Sequence, residues 1–415
     1  MAKTIAAIIA EFNPFHNGHK FLVEKIKLEL NPDYIIAIMS GDFVERGEPA
    51  ICDKFLRAEN AICNGIDAVF ELPAVYSSSA APDFAFGSVS VIHRMHAVRY
   101  LCFGSECGDT DILRNTAIYS QNETDEFKKL FSEYKTKGLS YPLAHSKAFD
   151  KLYPEYESVL KSPNNTLGVE YIKALMKFNS FVTPVTFKRF GVNHDSDKIC
   201  NDSDSNISYL SASAIRNLMC DGTPENLKTL KKVLPAQKNN NPDILSLLNK
   251  AYPVLADDFS ALLMQKIDMM SVDELSCLPG ANKDIALRLK KKSVTNNYFT
   301  CLANAVSNKS VTHANVNRFL IHTLLGIFDS DIDRTKGVPY LRLLAMNKNK
   351  SDLINIIKEN SEIPVITKMA DFDYDSVPML KKDIYAANLY NRTILYKFNR
   401  EYINDITNSP RIKDI

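Results

Sequence analysis

The sequence predicts an α/β protein, in which a Rossmann-like, doubly wound parallel sheet is followed by a mainly helical domain. In the first 110 residues, apolar runs of seven to nine residues alternate with stretches of helical periodicity, as expected for parallel strands joined by crossover helices. Beyond about residue 244 the apolar residues recur mainly at helical spacing. A chain of 415 residues, 45% of them hydrophobic, is long enough for two or three domains.

Four buried strands and three crossover helices are predicted in the first 110 residues. The strands are the apolar runs at residues 4–12, 34–40, 68–76 and 98–104. The crossover helices lie at residues 20–29, 53–63 and 82–95. Sheets of this kind bind ligands outside the carboxyl ends of their strands, so we expect the functional site at that edge.

The pattern changes after residue 109, where helical periodicity runs to about residue 179 and a further strand is predicted at 182–190. Residues 193–208 are rich in Asp, Ser and Asn and predict an exposed loop, either a linker or a lid. A short helix at 212–220 leads to a predicted boundary between one domain of residues 1–222 and a second of residues 223–415. In the second domain, helices are predicted at 244–250, 259–269, 284–292 and 316–328, and strands at 338–344 and 363–366.

The composition excludes some classes of protein. No run of about 18 apolar residues occurs, which argues against a membrane-spanning helix, and the early Glu11 argues against a signal peptide. The eight cysteines include no C-x-x-C pair, so neither a zinc ribbon nor a disulfide framework is indicated, and a reducing cytoplasmic compartment is expected. The net charge is −5 for residues 1–222 and +6 for residues 223–415. The positive half could meet a polyanion such as nucleic acid, or could simply be solvated surface.

A histidine motif stands where the first predicted strand ends and the first helix begins, in residues 11–19. His16 and His19 are three residues apart on a first helical turn, so they point the same way at the positive end of the helix dipole. Gly18 between them has no side chain, which lets an anion approach the backbone. Such donors suit the oxygens of a nucleotide triphosphate during displacement at the α-phosphorus, which requires no protein nucleophile. The same two histidines could instead bind a metal or cap the helix.

A second polar cluster occurs at the start of the helix predicted at 212–220. Ser211 and Ser213 place hydroxyls there, and Arg216 adds a guanidinium within the first turns. These side chains could hold the departing β- and γ-phosphates, since an arginine fork matches phosphate geometry. Helix capping by the serines is the alternative. Together with the histidines, the cluster would supply the two ends of a triphosphate site.

These motifs resemble those of the nucleotidyltransferase superfamily that carries the HIGH motif. In addition, residues 10–19, 39–50, 103–106 and 163–168 are similar to segments of the bacterial tRNA(Met) cytidine acetate ligases. The resemblance implies a ligase that forms acetyl-adenylate from acetate and ATP and releases pyrophosphate. It further implies acetyl transfer to the wobble cytidine of elongator tRNA(Met), which gives N4-acetylcytidine and AMP.

The resemblance also implies which residues contact ATP, namely a segment after the first strand together with Gly104, Asn165 and Arg189. The segment comprises Ile8, Ile9, Ala10, Glu11, Phe12, Asn13, Pro14, Phe15, His16, Asn17, Gly18, His19, Lys20 and Phe21. Gly104 and Arg189 end predicted strands, where a turn glycine and an exposed arginine are the alternatives. Asn165 could present a donor and an acceptor to a purine edge, or cap a helix. Mg²⁺ is expected with the triphosphate, although the sequence indicates no residue as its ligand.

The loop at residues 41–50 follows the second predicted strand at the same edge of the sheet. Asp42 and Arg46 are candidate catalytic residues beside the two histidines, and Arg46 is a natural partner for the carboxylate of acetate. A self-paired surface loop is the alternative. The ligase family usually has Gln and Trp where this sequence has Glu45 and Phe55, which affects the details of this loop rather than the histidine motif.

Other charged positions could extend the cleft or contact nucleic acid. Lys54 and Arg57, one turn apart on the next predicted helix, could line the same cleft or face water. Tyr340, Arg342 and Lys348 form a possible phosphate-facing edge in the second domain.

The basic helix predicted at 284–292 indicates a tRNA contact. A tight turn at 278–283 precedes it, and Lys283, Arg288 and Lys291 could contact tRNA phosphates without reading bases. Arg318 falls where the ligase family has a basic run that neutral residues dilute here. A solvated basic helix is the alternative.

Two other functions remain open at this point. One is a small-molecule adenylyltransferase, although that chemistry needs only the first domain and would leave residues 223–415 without a purpose. The other is an RNA-binding protein with a vestigial nucleotide pocket, against which the intact His16, His19 and Arg216 argue.

Overall fold

The computed structural model describes residues 3–122, 124–139, 141–189, 199–201, 207–236 and 244–415, so the loop predicted at 193–208 lies largely outside the described residues. The strands are β1 Ile5–Ala10, β2 Tyr34–Ser40, β3 Phe43–Val44, β4 Glu48–Pro49, β5 Ala68–Leu72, β6 Val98–Ser105, β7 Thr183–Lys188, β8 Cys200–Asn201, β9 Ser208–Tyr209, β10 Leu341–Asn347, β11 Val365–Ile366 and β12 Arg411–Lys413. The helices are α1 Asn17–Leu30, α2 Lys54–Cys63, α3 Ala74–Ser77, α4 Ala81–Arg94, α5 Thr110–Gln121, α6 Asp125–Thr136, α7 Tyr141–Leu152, α8 Pro163–Lys177, α9 Ala212–Asp221, α10 Pro224–Val233, α11 Ser260–Met269, α12 Val272–Ser276, α13 Lys283–Ser293, α14 Phe299–Val306, α15 His313–Leu325, α16 Asp352–Asn360 and α17 Pro378–Phe398.

Most of the strands form one large sheet in the order β11-β10-β5-β2-β1-β6-β7, with β12 paired to β10. The five strands from β5 to β7 in this order run parallel, which confirms the predicted doubly wound parallel sheet. β10 lies antiparallel to β5 and pairs in parallel with β11 and β12. The sheet is therefore mixed at one edge and parallel where the ligand site is expected.

Helices cover both faces of the sheet because the central strands are apolar on both sides. In β1, Ile5, Ala7 and Ile9 belong to one core cluster, together with residues of α4 and α8. Ala6 and Ile8 point the other way and belong to a second cluster with residues of α1 and α2. This two-sided burial explains why the strands appear in the sequence as continuous apolar runs rather than as alternating patterns.

The later part of the chain returns to the same sheet. β10, β11 and β12 all lie beyond residue 340, so ranges on both sides of the boundary predicted at residue 222 share one sheet. Between these strands and that boundary lie α10 to α15, in agreement with the predicted helical character. The division into domains of residues 1–222 and 223–415 stays a prediction.

A buried ionic cluster joins β10 to the rest of the sheet. Lys54 Nζ lies 2.8 Å from Glu71 Oε1 and 3.0 Å from Asp405 Oδ1. Arg342 Nη1 lies 2.6 Å from Asp405 Oδ2 and 3.1 Å from Glu71 Oε2, and Tyr340 is buried beside them. The predictions that Lys54 lines the cleft or faces water, and that Tyr340 and Arg342 face phosphate, are wrong. These charges are buried because each has an opposite charge within contact distance.

Two predicted elements differ from the observed ones. The strand predicted at 68–76 ends at Leu72, because Pro73 lacks the N–H that would continue the ladder. The helix predicted at 244–250 is only a 3₁₀ turn over Leu245–Leu247. Within the described ranges, no helix is both long and apolar enough for a bilayer crossing. The eight cysteines are all free thiols.

Candidate active site

The two motif histidines fold against one another at the N-terminus of α1. His16 is the N-cap residue, and its Nδ1 accepts the N–H of Gly18 at 3.0 Å. Nδ1 of His19 accepts the N–H of His16 at 3.2 Å, and the two rings stack with centroids 3.8 Å apart. Because both Nδ1 atoms accept hydrogen bonds, each neutral ring carries its hydrogen on Nε2. The pair therefore caps the helix and also offers two donors.

Gly18 is required by the packing of the His16 ring. A Cβ at this position would lie 2.9 Å from Cε1 and 3.1 Å from Nδ1 of His16, so a side chain would displace the ring. The sequence predicts a different reason, close approach of an anion to the backbone, and that reason stays a prediction.

Burial keeps both imidazoles uncharged at neutral pH. Burial, and after it the positive charges of Arg189 and Arg216, lowers the pKa of His16 to about 3. The pKa of His19 is lowered well below its usual value by burial, by His16 and by Arg189. A phosphate bound here would meet neutral N–H donors, and the arginines would supply the positive charge.

The histidines line a cleft at the carboxyl ends of β1 and β6, where the sequence predicts the ligand. The lining residues are Ile8, Ile9, Ala10, Glu11, Phe12, Asn13, His16, His19, Leu22, Glu45, Arg46, Phe84, Phe103, Gly104, Pro163, Asn164, Leu167, Tyr171, Arg189, Ser211 and Ala212. A smaller cavity adjoins the cleft and adds Gly18, Phe21, Phe187, Lys188, Tyr209 and Leu210 to the lining. The fold thus brings together the histidines, Gly104, Arg189 and Ser211 from four separate segments.

Arg189 follows β7 and is directed to the cleft. Its backbone N–H donates to the O of Ser105 at 3.0 Å, and its Nη1 lies 3.4 Å from Oδ1 of Asn164. Burial lowers the pKa of Arg189, and the carboxylate of Glu106 opposes that shift. A half-buried guanidinium that lines a cleft is suited to a phosphate, since its hydrogen bonds to an anion are charge-assisted.

Asn165 is buried behind the cleft wall. Its Oδ1 accepts the N–H groups of Glu106 at 2.9 Å and Cys107 at 3.1 Å. The residue that lines the cleft is Asn164, and Asn165 is not among the described lining residues. Nδ2 of Asn164 donates to Oε1 of Glu106 at 2.7 Å. Sequence reasoning missed Asn164 because two adjacent asparagines in a helix face different ways, and the sequence does not say which one faces the ligand.

In the serine and arginine cluster, Ser211 lines the cleft and Arg216 joins two segments by a hydrogen bond. Ser211 lines the cleft and caps α9, and its hydroxyl lies 3.2 Å from that of Ser213. Nη1 of Arg216 donates to the O of Asn13 at 3.1 Å, which joins α9 to the histidine motif. Of this cluster, the described lining of the cleft contains Ser211, whereas Arg216 acts through its charge near His16.

Several other residues of the segment predicted to contact ATP are structural. Nδ2 of Asn17 donates to the O of Ser208 at 3.0 Å and to the O of Lys232 at 2.9 Å, so this buried amide joins α1 to later segments. Phe15 packs against His19 with ring centroids 5.4 Å apart. Two further residues lie outside the described lining of the cleft and the smaller cavity, namely Pro14 and Lys20.

Asp42, in the loop at residues 41–50, is buried and is not among the described residues that line the cleft. Its Oδ1 accepts the N–H of Lys54 at 2.7 Å and lies 4.0 Å from Nη2 of Arg57. Burial raises its pKa to about 7, although the charges of Lys54 and Arg57 lower it. The predicted catalytic role does not fit this position, because the carboxylate is used to fix the junction between the loop and α2.

The guanidinium of Arg57 binds the carboxyl ends of β1 and β2. Its Nη1 donates to the O of Glu11 at 2.6 Å and to the O of Ser40 at 3.1 Å, and its Nη2 donates to the O of Gly41. The predicted exposure of Arg57 to the cleft or to water is therefore wrong. The guanidinium is buried because it satisfies carbonyl groups that the ends of β1 and β2 leave unpaired.

Two residues of the loop, Glu45 and Arg46, line the cleft. Nε of Arg318 on α15 donates to the O of Glu45 at 2.7 Å, and the guanidinium also pairs with the Glu45 carboxylate. Gly47 has a φ of +72°, and a Cβ there would lie 2.3 Å from the N of Arg318, so the loop packs directly on α15. Arg318 is thus engaged by the loop, and its predicted contact with tRNA phosphate does not fit this position.

The other predicted tRNA contacts lie on α13. Lys283 at its start and Lys291 near its end are exposed, and Lys283 Nζ lies 3.7 Å from a carboxylate oxygen of Asp273. Arg288 is half-buried, and its Nη1 donates to the O of Val306 at 3.1 Å, which braces α13 against α14. The two lysines therefore fit a phosphate-facing surface better than Arg288 does.

The fold and the histidine cleft define a nucleotidyltransferase of the HIGH class, and the family model described as HIGH Nucleotidyl Transferase matches residues 3–405. The tRNA(Met) cytidine acetate ligase of Clostridium novyi (strain NT) is 34% identical over 397 residues, which cover 94% of this chain and 96% of that protein. The enzyme of the same name from Clostridium tetani (strain Massachusetts / E88) is 35% identical over 395 residues, with 93% and 95% covered. The chain belongs to the family of tRNA(Met) cytidine acetate ligases.

A solved structure supports the same conclusion. The crystal structure of Thermotoga maritima TmcAL bound with alpha-thio ATP superposes with a TM-score of 0.85 and 26% sequence identity. The match covers 99% of this chain and 99% of that chain. The resemblance predicted from the motifs is thus confirmed along nearly the whole length.

Proposed function

We propose that this chain is an ATP-dependent ligase that acetylates a tRNA cytidine in two steps. In the first step, acetate attacks the α-phosphorus of ATP and forms acetyl-adenylate and pyrophosphate. In the second step, the N4 amine of the wobble cytidine of elongator tRNA(Met) takes the acetyl group, and AMP leaves. Family membership supports the overall reaction, and the pair of neutral histidine donors in the cleft is the observation that carries the first step.

One part of the cleft suits the triphosphate, and we call it the phosphate end. It consists of His16, His19, Arg189 and Ser211, which line both the cleft and the smaller cavity. Donors aimed at the α-phosphate stabilise the charge that shifts during displacement, and a guanidinium suits the departing pyrophosphate. Acetate is an anion at neutral pH, as carboxylic acids generally are, so this step requires no protein base.

The other part of the cleft, which we call the acceptor end, suits acetate and the cytidine. It consists of Glu11, Glu45, Arg46 and Tyr171, which line the cleft beyond the smaller cavity. Attacking and leaving oxygens lie roughly in line during displacement at phosphorus. Acetate must therefore lie on the side of the α-phosphorus opposite to the departing pyrophosphate. Arg46 is the proposed partner of the acetate carboxylate because its guanidinium matches that group.

Mg²⁺ is proposed to accompany the triphosphate. In the part of the chain that the structure describes, no group of three or more His, Cys, Asp or Glu side chains could hold a metal ion. Mg²⁺ is often held by phosphate oxygens and water with only one or two side chains. The ion would therefore enter with the nucleotide rather than occupy a protein site of its own.

The tRNA is proposed to contact the range 223–415. This range has a net charge of +6, and the exposed Lys283 and Lys291 of α13 offer phosphate contacts of the kind that position nucleic acid without reading bases. A tRNA substrate also leads us to propose a cytoplasmic location.

Two assays test the proposed reaction. Exchange of labelled pyrophosphate into ATP should require acetate and no tRNA, and N4-acetylcytidine should form when tRNA is added. Exchange that requires nicotinamide mononucleotide or phosphopantetheine instead of acetate would indicate a small-molecule adenylyltransferase. Binding of tRNA without exchange under any of these conditions would indicate an RNA-binding protein. Either outcome would contradict the proposal.

A further inference from the structure

Glu11 lines the cleft at its acceptor end, outside the smaller cavity that the phosphate end shares. We propose that its carboxylate accepts the proton that the cytidine N4 amine loses during acetyl transfer. This inference rests on the proposed function and concerns only the second step of the reaction.

The second step needs a proton acceptor that the first step does not need. The lone pair of the cytosine N4 amine is delocalised into the ring, so the amine is a weak nucleophile. When N4 attacks the carbonyl carbon of acetyl-adenylate, positive charge develops on the nitrogen and one of its protons must leave. A positioned base contributes about 10²–10⁴-fold to such steps.

The other described ionisable groups of the cleft are poor proton acceptors. His16 and His19 have lowered pKa values and stand at the phosphate end. Burial, and then two nearby carboxylates, raises the pKa of Tyr171, so its phenol keeps its proton. The carboxylate of Glu45 is paired with Arg318. These assignments favour Glu11 for this proton.

The structure fixes Glu11 from two sides. Nη1 of Arg57 donates to the O of Glu11 at 2.6 Å, and Oε1 of Glu11 accepts the N–H of Glu45 at 3.1 Å. Glu11 directly follows β1 and lines the cleft, and the hydrogen bond from Glu45 holds its carboxylate at the acceptor end. A carboxylate can accept several hydrogen bonds, and Glu is a usual partner of the cytosine N4 amine.

The aromatic residues of the cleft suit a nucleobase. Phe84, Phe103 and Tyr171 line the cleft beyond the smaller cavity, and the rings of Phe103 and Tyr171 lie 5.5 Å apart in an edge-to-face arrangement. Glu11 and Tyr171 both line the cleft beyond the smaller cavity. Enzymes that modify a base commonly hold it between aromatic and apolar side chains outside the helical stack.

The bonds and protons of the step balance as follows. The N4 lone pair forms a bond to the acetyl carbon, and the carbonyl π electrons move to oxygen. The N4 proton passes to the Glu11 carboxylate, and the carbonyl re-forms as the bond between the acetyl carbon and the phosphate oxygen breaks. AMP leaves with that electron pair, and Glu11 later gives its proton to water.

Glu11→Gln tests the inference, because an amide oxygen can still accept the N–H of Glu45 but cannot take up a proton. Acetyl-adenylate is measured as acetohydroxamate, formed from acetate, ATP and hydroxylamine, a nucleophile that needs no protein base. Acetyl transfer is measured by loading the enzyme with acetyl-adenylate and mixing it with tRNA. Transfer should fall about hundredfold or more, while hydroxamate formation should fall less than about tenfold.

Two further variants complete the design. Glu11→Asp keeps a carboxylate that is one methylene shorter and should transfer acetyl faster than Glu11→Gln. Glu29→Gln, the same change at an exposed position of α1, should leave both assays at the wild-type level.

Three results would overturn the inference. They are equal losses of Glu11→Gln in both assays, a transfer loss of less than about threefold, and no gain of Glu11→Asp over Glu11→Gln. A wild-type enzyme that forms no hydroxamate would instead contradict the proposed function, so the two failures are distinguishable.

Discussion

The phosphate end and the acceptor end of the cleft are built in different ways. His16 and His19 are positioned by hydrogen bonds within four consecutive residues of one helix start. At the acceptor end, Glu45 is held by Arg318, which is 273 residues away in the chain. The two histidine donors therefore depend on a local motif, whereas Arg189 and Ser211 and the acceptor end depend on segments that the whole fold brings together.

This difference predicts how the two ends respond to substitution. A change at the phosphate end should remove adenylate formation while the fold keeps its stability. A change in the pair of Glu45 and Arg318 at the acceptor end should reduce the free energy of unfolding, because this pair holds the loop on α15.

The largest effect is expected for the histidines. His16→Asn retains a good N-cap residue but has no Nε2 donor, so adenylate formation should fall about 10²–10³-fold, the usual cost of losing one such donor. Acetate-dependent pyrophosphate exchange measures the rate, and urea unfolding should show nearly wild-type stability. A normal rate in a variant that combines this change with His19→Ala would refute the role of the histidines as donors in adenylate formation.

The next effect is expected for Arg318. Arg318→Met leaves the half-buried carboxylate of Glu45 without its partner, which should cost about 2 kcal/mol in the free energy of unfolding, between the values typical of exposed and of buried pairs. The double variant with Glu45→Gln should recover most of this loss, because no unpaired charge remains. Urea unfolding of the two single variants and the double variant measures the coupling, and additive losses would count against it.

A pH dependence of stability is expected from Asp42. Its pKa of about 7 in the folded protein is higher than the ordinary value of 3.8, so the folded state binds this proton more tightly. The contribution of Asp42 to stability should therefore fall as the pH rises from about 4 to about 7, and stay level above that. Asp42→Asn should lack this component. The measurement is the free energy of unfolding of both proteins from about pH 4 to about pH 7. The same change with pH in both proteins would contradict the prediction.

The smallest effect is expected for Lys283. This substitution tests whether α13, in the range 223–415, contacts the tRNA whose cytidine enters the acceptor end. Lys283→Ala should weaken tRNA binding about threefold and lower the slope of log affinity against log salt by about 1, with adenylate formation retained. Lys128→Ala, at an exposed lysine of α6, is the matched control. An unchanged salt slope for Lys283→Ala would count against α13 as a tRNA contact.

Prediction from the sequence succeeded where short-range patterns decide the structure. The parallel strands and the helix start at His16 follow from apolar runs and capping residues, which act within a few residues. It failed at Asp42, Arg57 and Arg342, since a charged residue in a sequence is first expected to face water or ligand. Each of these side chains is instead buried and paired with a group on another element, which lies 12, 16 and 63 residues away for Asp42, Arg57 and Arg342.

By itself, therefore, the sequence determined the parallel sheet, the edge that carries the cleft and the two histidines of the phosphate end. Only the tertiary structure decided that Asn164 rather than Asn165 lines the cleft and that Arg318 holds Glu45. It also decided that β10, β11 and β12 extend the large sheet beyond β5. The physical reason is the range of the interactions. Periodicity and capping act between neighbours along the chain, whereas buried ion pairs and strand pairing join residues that only the complete fold brings into contact.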